Sequence, residues 1–117
     1  MPDKSEVIRT IKDTGLIPVV RATSADEAMR AIDAIREGGI SVLEITMTVP
    51  GAVKLIEEVA NRYGKDAVVG AGTVLDQETA TACISSGAQF VVSPALNLET
   101  IACCRRRDVV VMPGALT

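Results

Sequence analysis

The 117 residues carry 12 Lys and Arg against 15 Asp and Glu, a net charge of −3, and are 48% hydrophobic but only 2% aromatic. A chain of this length builds a single domain with a modest core, here an aliphatic one. With no histidine anywhere, His-based triads, His metal sites and a His general base are excluded within the chain, and no zinc or Walker-type phosphate motif appears.

No apolar run reaches bilayer-spanning length, and the polar start MPDKSEVIRT is unlike a signal peptide. The one basic run, Arg105 to Arg107, falls at an expected helix end, where cations favour the dipole. Neither nucleic acid nor a membrane is therefore an expected partner. Cys83, Cys103 and Cys104 are odd in number and lack C-x-x-C spacing, as expected for reduced thiols of a cytoplasmic protein.

A leading helix is predicted over about Lys4 to Asp13, ending at Gly15. Short aliphatic runs follow at Leu16 to Val20, Val42 to Ile45, Ala67 to Val69, Phe90 to Val92 and Val109 to Met112, with helical segments between them. Ser24 is a predicted N-cap with Glu27 completing a capping box. Ala28, Ile32 and Ile35 form an apolar stripe that Gly38-Gly39 ends. Pro50 suits a first helical turn, and Asp76 and Asn97 are predicted caps of the next two helices. The strands are too apolar to alternate, which fits a parallel sheet buried on both faces. Strand-helix alternation with short connections points to right-handed β/α units. Five strands do not close an eight-stranded barrel, so residues 1–117 read as one domain that is either the N-terminal part of a β/α barrel, cut after its fifth strand, or an open sheet.

In either architecture chemistry sits at the strand C-terminal ends. Taken in order, those ends offer Arg21; Glu44, Thr46 and Thr48; Thr73 of GAGTV; Ser93 and Pro94; and Pro113 with Gly114. A ring of one cation, one carboxylate and several hydroxyls suits a small, anionic, oxygen-rich ligand, with Arg21 able to hold a carboxylate in bidentate fashion. A carboxylate inside an aliphatic strand is costly unless paired or used. The residues leave two readings of Glu44 open: a proton carrier beside a carbonyl, or half of a structural ion pair with Arg21. For GAGTV, tight packing of strand against helix is preferred over a phosphate cradle.

GLIPVVRATSADEA, GGISVLEITMTVPGA, VVGAGTVLD, SGAQFVVSPAL and VVVMPGALT resemble, in order and at matching spacing, successive segments of the 2-keto-3-deoxy-6-phosphogluconate and 4-hydroxy-2-oxoglutarate aldolase family. The resemblance implies part of a (β/α)8 TIM barrel, usually a homotrimer. It also implies cleavage of a 2-keto-4-hydroxy acid to pyruvate and an aldehyde through a lysine Schiff base, with no cofactor or metal. It further implies that Glu44 is the catalytic acid/base, that Thr73 contacts the pyruvate carboxylate, and that Arg21, Thr48 and Pro94 border the substrate. Thr48 falls where many members carry a substrate-binding arginine. The Schiff-base lysine of the family lies on a sixth strand and its phosphate loops follow the seventh and eighth, beyond Thr117. Lys4, Lys12, Lys54 and Lys65 are all expected away from strand C-terminal ends. The other reading of the chain is a non-catalytic half-barrel scaffold or binding module that assembles with another chain.

Overall fold

The computed structural model describes residues 2–117. Helix α1 (Lys4–Thr14) precedes β1 (Val19–Val20), α2 (Ala25–Glu37), β2 (Val42–Thr46), α3 (Ala52–Tyr63), a 3-10 turn at Gly64–Asp66, β3 (Val68–Gly72), α4 (Gln77–Ser85), β4 (Phe90–Ser93), α5 (Leu98–Arg106) and β5 (Val110–Pro113). The five strands form one sheet in the order β1-β2-β3-β4-β5, and every neighbouring pair is parallel.

Local chemistry accounts for the helix ends. Ser24, Asp76 and Asn97 each accept a backbone N–H three residues on, which satisfies one of the orphan donors of the first turn and contributes about 1 kcal/mol per cap. The box predicted at Ser24 is only half made, because the Glu27 carboxylate accepts the Thr23 hydroxyl instead. A complete box stands on α1, where Asp3 and Glu6 bond each other's backbone N–H. Helix α3 begins after Gly51 in the left-handed region, so Pro50 lies before the helix rather than in its first turn. The first strand is shorter than predicted. Pro18 has no N–H to give the ladder, although its carbonyl accepts from Glu44 N, and Leu16 is exposed.

Alternation along the strands divides two packing surfaces. Leu43, Ile45, Val69, Ala71 and Val91 meet Ile32 of α2, Leu55, Ile56 and Val59 of α3, Cys83 of α4 and Cys104 of α5 in one core. The opposite face carries Val42, Val68, Phe90 and Val110, the first residues of β2 to β5, which cluster with Val7 of α1. Helices α2 to α5 thus cover one face, as in a barrel segment, while α1 plugs the N-terminal end of the other. That plug leaves the inner face open toward the strand C-terminal ends.

Candidate active site

Glu44 lies at the centre of β2, level with Val19 of β1 and Gly70 of β3. Val42, Glu44 and Thr46 alternate onto the inner face, so the carboxyl points away from the helices. Its side chain is only 8% exposed. Space for it comes from Gly72: a Cβ built on that residue would stand 1.5 Å from Glu44 Oε1. The companion glycine, Gly70, makes room for the Phe90 ring, which would lie 2.2 Å from a Cβ there. The two glycines of GAGTV therefore admit side chains of the inner face, which corrects the expectation of strand-to-helix packing. The i, i+2 spacing of the glycines is visible in the sequence and puts both on one face of the strand, but which side chains they admit depends on the register of the sheet.

Burial pushes the Glu44 carboxyl above its usual range, and the positive charge of Arg21 partly offsets this. Arg21 follows β1 and is exposed. Two residues beyond Val19, it stands on the same side of the chain as Glu44. Among the described residues no ion pair within 4.0 Å joins the two; the one such pair is Arg62 with Asp33, between α3 and α2. Arg21 therefore acts on Glu44 through its field and stays free to meet an anion.

The other strand-end residues are placed as follows. Thr73 comes directly after Gly72 and holds a left-handed backbone, φ 43°, a conformation uncommon without glycine and concentrated at functional sites. The chain turns there, with Val74 N donating to Val92 O, and Thr73 is half-buried, next in sequence to the glycine that seats Glu44. Thr46 is 1% exposed; its hydroxyl donates to Val20 O at 3.3 Å and lies 2.7 Å from Thr48 Oγ1. Thr48 itself is exposed. Ser93 folds back to donate to Ala95 O, leaving Pro94 exposed at the rim, and Gly114 packs against the Pro94 carbonyl.

No lysine reaches this end of the inner face. Lys4 and Lys12 lie on α1 and Lys65 in the 3-10 turn before β3. Lys54, on α3, lines an outer groove with Asp26, Met29 and Glu58 between the starts of α2 and α3. A separate cleft of about 560 Å3 opens beside the N-terminal end of β3, bordered by Asn61, Lys65, Ser85 and Gln89, and touches none of the strand-end residues. Among the described residues no cluster of three His, Cys, Asp or Glu side chains could hold a metal ion, and no helix is long and apolar enough to cross a membrane.

An aldolase family model, that of KDPG and KHG aldolase, matches residues 7–117. The chain belongs to the KDPG and KHG aldolase family. It is 34% identical over 110 residues to 2-dehydro-3-deoxy-phosphogluconate aldolase of Haemophilus influenzae, covering 93% of this chain and 51% of that protein. With 2-dehydro-3-deoxy-6-phosphogalactonate aldolase of Escherichia coli it shares 32% identity, over 87% of this chain and 50% of that one. The solved KDPG aldolase of Legionella pneumophila, with pyruvate captured at low pH as a covalent carbinolamine intermediate, superposes with a TM-score of 0.78 at 31% identity. That superposition covers 86% of this chain and 48% of the other. The chain thus spans about half the length of the relatives it matches, and its five strands are a segment of their β/α barrel.

Proposed function

We propose that the chain supplies the acid/base half of a class I aldolase that cleaves 2-keto-3-deoxy-6-phosphogluconate or 4-hydroxy-2-oxoglutarate to pyruvate and an aldehyde. The observation that carries this reading is the Glu44 carboxyl, seated against Gly72 on the open end of the inner face and held above its usual range by burial. A raised carboxyl pKa brings its proton affinity closer to neutral pH, where it can both take and return a proton. In this reading an amine from residues beyond Thr117 forms an iminium with the substrate C2 carbonyl. Glu44 takes the proton of the C4 hydroxyl as the C3–C4 bond breaks, the electron pair passes into the iminium, and the aldehyde leaves. The protonated Glu44 then returns its proton to C3 before water releases pyruvate. Arg21 and Thr73 hold the anionic end of the keto acid, and Thr48 and Pro94 border the remainder. The family resemblance supports a homotrimer, and the three free cysteines support a cytoplasmic setting.

The test incubates the parent polypeptide, extended through the remaining strands, with pyruvate and borohydride, and reads mass. Pyruvate-dependent trapping is expected on the parent and not on residues 1–117 alone. Glu44→Gln in the parent should still trap pyruvate but lower turnover by about 10²- to 10⁴-fold, the usual contribution of a positioned acid/base. A parent that does not trap pyruvate overturns the reading. Wild-type turnover in Glu44→Gln removes Glu44 from the mechanism.

A further inference from the structure

Two glycines leave β3 without a side chain at two successive levels of the inner face, and a neighbouring strand fills each. At the upper level Glu44 leans in from β2, its Cγ, Cδ and Oε1 all within 2.9 Å of a Cβ built on Gly72. At the lower level Phe90 leans in from β4, its Cδ2, Cε2 and Cζ all within 2.4 Å of a Cβ built on Gly70. Phe90 is the one phenylalanine of the chain and is fully enclosed. The lower level is also that of the Glu44 backbone, since Glu44, Gly70 and Phe90 are paired across β2, β3 and β4. Strands stand about 4.8 Å apart, so the ring edge comes within about 7 Å of Glu44 Cβ. No side chain from β3 stands between them.

We infer that Phe90 is a positioning residue for the reaction: its ring fills the inner face beside the Glu44 stem, so that the carboxyl rises to Gly72 and meets water only from the strand C-terminal end. This rests on the aldolase reading above. On the other side, at the same level, Glu44 has Val19 of β1. Flanked by two apolar side chains, an ionised oxygen has no partner at that level and would be costly there. One level up, Gly72 leaves room and the field of Arg21 favours the charge. Leucine has no counterpart of the ring's Cε2 and Cζ. In its place the space over Gly70 would admit water to the Glu44 stem, and the ionised form would be desolvated less. Among the described residues no second charge competes for this role. Strands β4 and β5 turn Phe90, Val92, Val110 and Met112 to the inner face, α1 turns Val7 and Ile11, and Arg21 is the one charged group acting on Glu44.

The test reads the pH profile of kcat/KM of the parent polypeptide, whose acidic limb reports the base of the free enzyme. In Phe90→Leu the limb should move to lower pH. Its kcat should fall by up to about 10²-fold, as for a reacting group misplaced by about 1 Å, and borohydride should still trap pyruvate on it. Gly70 lies outside the left-handed region, so alanine fits its backbone. Adding Gly70→Ala to Phe90→Leu returns a methyl group to the vacated space and should move the limb back. Val7→Ala removes volume from the same cluster, but from α1, and should leave the limb in place. A limb unchanged in Phe90→Leu, or moved as far by Val7→Ala, overturns the inference. So does a limb that stays displaced in the double variant. Where Phe90→Leu does not fold, Phe90→Met, unbranched and adaptable in a core, replaces it under the same expectations. Failure of the unsubstituted parent to trap pyruvate overturns the aldolase reading and the role of Phe90 with it.

Discussion

Glu44 and Gly72 divide a space that holds one side chain. A methyl group at Gly72 would stand 1.5 Å from Glu44 Oε1, so Gly72→Ala forces the carboxyl to move or the strands to part. Overpacking of this kind costs about 1–3 kcal/mol, and a misplacement near 1 Å at a reacting group can cost about 10²-fold in rate. Urea unfolding and turnover of the parent should both show the loss, and a variant that keeps both values would place the Glu44 carboxyl elsewhere. The same burial has a pH signature. In the unfolded chain Glu44 titrates in the ordinary carboxylate range, and folding raises its pKa. Between those two values the folded state binds more protons, so this residue makes stability fall as pH rises from the ordinary range through the folded pKa. Asp76 is held low by its bonds to Thr79 and works in the opposite sense, but it is common to both proteins in a comparison with Glu44→Gln. Urea midpoints from pH 4 to 8 should therefore show Glu44→Gln gaining on the parent as pH rises; parallel curves would contradict this. The peculiarity of Glu44 was legible in the sequence, because a carboxylate in an aliphatic run is conspicuous. Its seat was not, because the role of Gly72 depends on which residues of β2 and β3 lie level, and register is a property of the folded sheet.

At the scale of elements, α1 shows where reading a sequence stops. Its span and its Gly15 terminus were plain, but a helix span does not say what the helix covers. Packing supplies the answer: Val7 is 3% exposed, clustered with the first residues of four strands. Val7→Ala should destabilise by about 1–3 kcal/mol, as expected for a large-to-small change in a closed core site. The thermal midpoint checks it, and a midpoint unchanged from wild type would mean that α1 is loosely held. The strands were found in place because their apolar runs are punctuated by glycine and capping residues. Only β1 came out short, where Pro18 breaks the ladder and Val19 is left 49% exposed. The reciprocal cap at Asp3 and Glu6 had its D-x-x-E spacing in plain view, while the one expected at Glu27 lost to a nearer hydroxyl donor, Thr23.

For the whole molecule, parallel pairing followed from alternation, since each β/α unit returns to the sheet by a right-handed crossover, while sequential strand order also needed the family resemblance. Helices on one face followed from the family resemblance. The polar end around Glu44 and Thr46 was expected; what the pattern did not reveal is that α1 seals the opposite end of the inner face. The arrangement also bears on how the protein is made. Because strand order equals chain order, each β/α unit emerging from the ribosome finds its predecessor waiting and can dock at once, with short loops to close. Helix α1 is the exception. It is made before all five strands, yet Val7 meets Val110 only when β5 arrives about a hundred residues later. While these five strands are being made the apolar side of α1 lacks part of its cover, so a helix that precedes them all is among the last to be fully enclosed.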